Sequence, residues 1–188
     1  MQVLARVKTR QMSGTQAVMA SLIGAAFTAI CAQITFNLPG NPVPVTMQVF
    51  AVICCGLVLG SRYGALAQIE YLTAGLLGAP VFAGFRGGPA SIALPTWGYI
   101  VGFIAAAYIV GRIIELFENP SMRSACIAGI AGVGIIHSFG AAWLSIWLQV
   151  FSGHFAGWGA WVLGSAPFIG VDTLKVFLAA WFCVGPRR

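Results

Sequence analysis

Asp172 and Lys175 lie three residues apart inside an apolar stretch, so a helix there sets them on one face. A carboxylate and an ammonium so placed have two uses. They neutralise each other as a local ion pair, or they form the polar wall of a pocket. Arg86 stands alone in a glycine-rich stretch. Two cations and one anion suit an organic anion that also carries hydrogen-bond donors. Arg86 or Lys175 would take its carboxylate, and Asp172 its N–H groups. Gln48, after Pro44 and Thr46, adds an uncharged polar group. Trp97 and Tyr99, after Pro95-Thr96, offer either an apolar lining with polar tips or interfacial anchors. Glu70 reads as structural, and His137 and His154 as packed, hydrogen-bonded histidines. A membrane enzyme using Glu70 with His137 is the alternative from another class, and it needs those two side by side in a cavity.

Several chemistries are excluded. The two lysines, Lys8 and Lys175, do not follow glycine, so no phosphate-binding loop of the Walker type exists. No H-E-x-x-H or G-x-S-x-G occurs. The five cysteines form no C-x-x-C pair and read as buried thiols. Neither a catalytic set nor a metal or cofactor site is expected.

The elements that must position these residues follow from composition. Of 188 residues, 59% are hydrophobic and 7% charged, against about 25% charged in a soluble domain. The mean hydropathy is +0.90. Too few charges exist to cover a water-facing surface, so the class is an all-α integral membrane protein in a lipid bilayer. The net charge of +6 comes from scattered residues and does not mark a nucleic-acid site. Six apolar segments predict six transmembrane helices in a single membrane domain over 1–188, at about 17–36, 45–60, 64–79, 96–117, 124–150 and 168–184. Pro167 suits the first turn of the sixth. Arg6, Lys8 and Arg10 before the first apolar run resemble a signal peptide, but the run from Ala17 continues for a full bilayer width and reads as a span.

Charge predicts orientation. With six spans, Arg6, Lys8, Arg10, Arg62, Arg112, Arg123, Arg187 and Arg188 fall on one side, and Arg86 alone on the other. This asymmetry places both termini in the cytoplasm. The outer connections, 37–44 and 80–95, are long, uncharged apart from Arg86, and rich in Pro and Gly, as lids over a site are. Helix 1 carries Ala17, Ser21, Ala25 and Ala29 at spacing four, beside a second row of Ala20, Gly24, Thr28 and Ala32. Small residues in such rows let another helix approach closely. Packing rules leave open whether that helix belongs to this chain or to a partner, and a homo-oligomer is equally open.

Ordered motifs then carry a resemblance. They are Pro42-Val43-Pro44-Val45-Thr46-Met47-Gln48, Gly60-Ser61-Arg62-Tyr63-Gly64 and Gly75-Leu76-Leu77-Gly78-Ala79-Pro80-Val81-Phe82. Gly87-Gly88, Pro95-Thr96 and Gly98-Tyr99-Ile100-Val101-Gly102-Phe103 follow, then Pro167-Phe168, Gly170 and Asp172-Thr173-Leu174-Lys175. Together they resemble the BioY family, the biotin-binding S components of energy-coupling-factor (ECF) transporters. The resemblance implies a six-helix S-component fold that binds biotin from outside. It implies release inward, driven by a membrane T subunit and ATPase subunits, although some members act without dedicated ATPases. It implies biotin contacts at Arg86, Asp172 and Lys175, and a T-subunit contact through the small-residue face of helix 1. Trp97 departs from the family, where glycine is expected. An S component for another vitamin, thiamin or riboflavin, is the alternative within transport, and these lack a carboxylate.

Overall fold

The computed structural model describes residues 13–153 and 157–185. Arg6, Lys8, Arg10, His154, Arg187 and Arg188 lie outside them. The helices are α1 (Gly14–Gln33), α2 (Gln48–Leu76), α3 (Trp97–Glu115), α4 (Met122–Ser152), α5 (Trp158–Gly164) and α6 (Ala166–Val184). Two short strands, β1 (Thr35–Phe36) and β2 (Val45–Thr46), pair antiparallel, with Thr35 opposite Thr46 and Phe36 opposite Val45. All the helices but α5 are long and apolar enough to cross a membrane.

The expected second and third spans form one element, α2, broken at Gly60. There φ is 74° and ψ −174°, a conformation open essentially to glycine alone. The break is a reversal. Gln48 Nε2 donates to Tyr71 Oη at 2.8 Å, whereas a straight helix would separate residues 23 apart by about 35 Å. The arms, 48–59 and 61–76, therefore lie antiparallel. The spans expected at 45–60 and 64–79 leave residues 61–63 for this turn; the structure uses Gly60 alone. Gly111 of α3 lies against it so closely that a Cβ would meet Ser61 N at 2.2 Å. Glu115, one turn on, accepts from Ser61 N at 2.7 Å and from its hydroxyl at 3.0 Å. This carboxylate ties the tip of the hairpin to the end of α3.

α2 packs against α1 and α3, α3 against α4, and α6 closes the bundle against α2 and α4. Ser13 and Ser121 start α1 and α4 with capping boxes, completed by Gln16 and Ser124. Pro167 occupies the first turn of α6. α1 stops at Gln33, short of the expected 36, because the chain turns into β1.

The small-residue strip of α1 is covered by this chain's own α2. Ala17, Ser21 and Ala25 are buried and Ala29 half-buried, and Gly24 sits against Cys55, Leu59 and Ala67 from both arms of α2. Ser21 Oγ also donates to Glu70 at 2.9 Å, and Gln68 Nε2 to Thr28 Oγ1 at 3.2 Å. The expectation that Ala17, Ser21, Ala25 and Ala29 form an outward docking face is therefore corrected. Small side chains permit close approach, and polar groups at matching heights on α2 supply the partner. The exposed side of α1 carries Val18, Met19, Leu22, Ile23 and Ile30 instead.

Ala25→Trp should accordingly lower thermal stability in detergent by about 1–3 kcal/mol, as overpacking of a core does. Ala26→Trp, on the exposed side of the same helix, should leave it nearly unchanged. Equal melting of the two variants would return the strip to the surface.

Candidate binding site

The end of the bundle opposite the Gly60 turn holds a cavity of about 210 Å³. Its floor is built from α4 and α6. Asp172, in the second turn of α6, and Lys175, one turn further, are 3% and 4% exposed. Lys175 Nζ donates to Asp172 Oδ1 at 2.6 Å and to the Thr46 carbonyl of β2 at 2.6 Å. Those bonds use two of the ammonium's three protons. His137, mid-way along α4, brings Nε2 within 3.0 Å of Asp172 Oδ2. Burial without such partners would cost several kcal/mol per charge. The cluster satisfies each charge and joins three separate parts of the chain.

A polar chain continues from there. Thr46 Oγ1 donates to Gln48 Oε1 at 3.0 Å. Gln48 Nε2 donates to Tyr71, and Tyr71 Oη to the Val81 carbonyl at 3.3 Å. Both arms of α2 and the segment after it are thereby fixed to the cavity.

The two outer connections form its walls. Residues 42–44 and Thr35 line one side, with Asn37; Asn41 Nδ2 holds this hairpin to the Leu163 carbonyl of α5 at 2.8 Å. Phe82, Ala83, Gly84 and Arg86 line another side. Phe82 and Arg86 exchange backbone hydrogen bonds at 2.9 and 3.2 Å, making a tight loop. Gln33, at the end of α1, donates to the Val81 and Phe82 carbonyls at 3.2 Å and accepts from Phe85 N at 3.0 Å. Leu94, Pro95 and Thr96 complete the rim, and Trp143 and Trp147 of α4 pin the Leu94 and Ala93 carbonyls at 2.8 Å each. Arg86 is exposed at the rim, and among the described residues its guanidinium meets no partner.

The cavity thus gathers Arg86, Asp172, Lys175, Gln48 and Tyr99. Tyr99 contributes its ring; its hydroxyl donates to the Gly164 carbonyl at 2.7 Å. That ring passes so close to α4 that a Cβ on Gly140 would lie 2.2 Å from it. Trp97 is not part of the lining, which corrects its expected place there. Two residues before Tyr99 it is turned about 200° around the helix, and the face that presents Tyr99 cannot present it. Glu70 and His137 are not brought together either. Glu70 faces Ser21 on α1 and is no part of the cavity, so the enzyme alternative lacks its site. Sequence reasoning missed His137 as a cavity residue. The available signal was its being an ionisable group in mid-membrane, where such groups are costly.

Arg86 offers an anion contact at the rim, and the buried Asp172, paired with Lys175, an acceptor at the floor. Apolar walls from Val43, Ile100, Phe103, Ile136 and Phe168 lie between. An amphiphilic anion with polar groups at both ends fits this arrangement.

Asp172→Asn should leave Lys175 without its countercharge and lower stability by about 3–5 kcal/mol. Asp172→Asn with Lys175→Met should recover much of that loss. Thermal unfolding of both in detergent measures the difference, and an unaltered single variant would show that the pair is not coupled in the fold.

Comparison with known proteins agrees with this architecture. Residues 4–188 match the BioY family. "Biotin transporter BioY" of Thermotoga maritima is 37% identical over 144 residues, 77% of this chain and 80% of that protein. "Probable biotin transporter BioY" of Pyrococcus horikoshii is 39% identical over 155 residues, 82% and 85% of the two chains. Among solved structures, the S-component for biotin from an ECF-type ABC transporter superposes with a TM-score of 0.77. It covers 92% of each chain at 23% identity, a shared fold. Six passes around a half-polar cavity, and relatives of this identity and coverage, make the chain a member of the BioY family.

Proposed function

We propose that this protein is a biotin-binding subunit for vitamin uptake, an S component working with a membrane T subunit and ATPase subunits. The observation that carries the reading is the charge layout of the cavity. Biotin has a carboxylate at the end of an aliphatic tail and a ureido ring with two N–H donors and a carbonyl. Arg86, at the rim and without a partner among the described residues, suits the carboxylate. The buried Asp172 suits a ureido N–H, and the aromatic and aliphatic walls suit the thioether ring and tail. The names of the relatives support the same ligand. Thiamin and riboflavin lack the carboxylate that gives Arg86 a use.

The cavity opens away from the cytoplasm in this reading, with both termini inside. The Gly60 turn with Arg62 beside it, and the α3–α4 connection flanked by Arg112 and Arg123, would face the cytoplasm. T-subunit docking would use surface that α2 does not cover, because the small-residue strip of α1 is occupied.

Two measurements test this. Arg86→Gln should weaken biotin roughly ten- to 150-fold, the value of a charged hydrogen bond, and weaken biotin methyl ester much less. Equal losses for acid and ester would remove Arg86 from carboxylate binding. Orientation is read by an impermeant thiol reagent on a variant free of native cysteines. A single cysteine at 86 should label in intact cells and one at 62 should not; the reverse pattern would invert the topology.

A further inference from the structure

We infer that His137 reads the ligand directly, as an acceptor for one N–H of its ureido ring; this rests on the biotin reading above. His137 lines the cavity and is 3% exposed. Its Nε2 is committed to Asp172 Oδ2 at 3.0 Å, and its Nδ1 is buried with no hydrogen-bond partner among the described residues. Buried polar atoms are rarely left so, because each unmade bond costs free energy.

The neighbours decide which proton state the ring holds. The Lys175 ammonium, 2.6 Å from Asp172 Oδ1, favours the ionised, acceptor-only carboxylate. Against such an acceptor Nε2 must carry the hydrogen. In the neutral ring Nδ1 then presents a lone pair, and the second-nitrogen logic of histidine makes it an acceptor. Aromatic neighbours hold the ring in this orientation. Tyr99 packs edge-on at 6.1 Å between centroids and Phe168 lies tilted at 6.3 Å. Tyr99 is itself held by its bond to Gly164. Asp172 therefore has a second role. Besides offering its own lone pairs, it sets the tautomer that makes His137 an acceptor. Two acceptors on one cavity floor match the two N–H donors of a cyclic urea, and a ligand with one donor leaves one of them unpaired.

The test uses the full-length protein in detergent, with biotin and two isosteric carbamates, in each of which one ureido N–H is replaced by ring oxygen. In the unaltered protein one or both carbamates should bind at least about tenfold more weakly than biotin. His137→Phe keeps a ring of similar shape against Tyr99 and Phe168 and removes the acceptor, together with the donor to Asp172. It should weaken biotin by a similar factor and bind one carbamate as well as it binds biotin, within about threefold. Additive losses, with the same preference for biotin in His137→Phe as in the unaltered protein, would overturn the assignment while leaving the biotin reading intact. No biotin binding by the unaltered protein would overturn that reading first. A second measurement needs no variant in the site. The chain has two histidines, so ring ¹⁵N spectra of the ¹⁵N-histidine protein, assigned with His154→Gln, are simple. The unprotonated Nδ1 of His137 should move upfield when biotin binds, as accepting a hydrogen bond requires. An Nδ1 signal unmoved by saturating biotin, or already protonated without ligand, would overturn the proposal.

Discussion

The Asp172–Lys175 pair is the constraint on which the rest of the cavity depends. A single unpaired charge at the bilayer centre costs about 3 kcal/mol or more, and these two are almost wholly buried. Mutual attraction offsets the cost only with good geometry and with the remaining donors and acceptors satisfied. The chain meets both conditions. Oδ1 takes the ammonium, Oδ2 faces His137, and a second ammonium proton goes to the Thr46 carbonyl. Each of those partners belongs to a different segment. Satisfying one ion pair on α6 therefore requires α4 and the β1–β2 hairpin to stand where they do, and the cavity is the space their side chains leave.

From Thr46 the same demand passes along the chain. Gln48 cannot bond Tyr71 unless α2 reverses at Gly60, and Tyr71 in turn fixes the Val81 carbonyl near Arg86. Gln33 grips the same loop from the end of α1. Polar groups in a lipid-embedded bundle have few alternatives to one another. A short series of side-chain bonds can thus locate two long outer connections that packing alone would leave free. Rearranging either wall of the cavity means breaking bonds that continue into α1, α2 or α4.

Much of this was legible in the residues, for definable reasons. The apolar runs and the i, i+3 spacing of Asp172 and Lys175 are local facts, and helix geometry turns them directly into a shared face. Arg86 stood out because its surroundings contain no other charge. The partner of the α1 strip was not legible. Ala17, Ser21 and Ala25 say that something approaches closely, but only Glu70 and Gln68, some 40 to 50 residues away, identify it as α2. His137 was hidden by the same kind of separation, 35 residues from Asp172. Trp97 illustrates the opposite failure: residue type suggested a pocket, and helical phase placed it on the wrong side. α5 went unforeseen because Gly157 and Gly164 bracket a stretch too short for a helical period to show.

Electrostatics explains why the floor and the rim differ. Asp172 and Lys175 cancel, so the buried end of the cavity presents hydrogen-bonding directions with little net charge, and the apolar walls above it gain nothing from an ion. Among the described residues Arg86 has no countercharge, but it stands at the exposed rim, where water screens it and its desolvation is cheap. A neutral polar group can then descend to the floor without forcing a net charge into the membrane, while an anion is held at the mouth. Moving Arg86 inward would bury an unpaired cation; moving the pair outward would surrender directed hydrogen bonds to water. The observed order, charge outside and balanced pair inside, is the arrangement in which neither cost is incurred, and it favours a ligand whose anionic group and hydrogen-bonding ring are separated by an apolar tether.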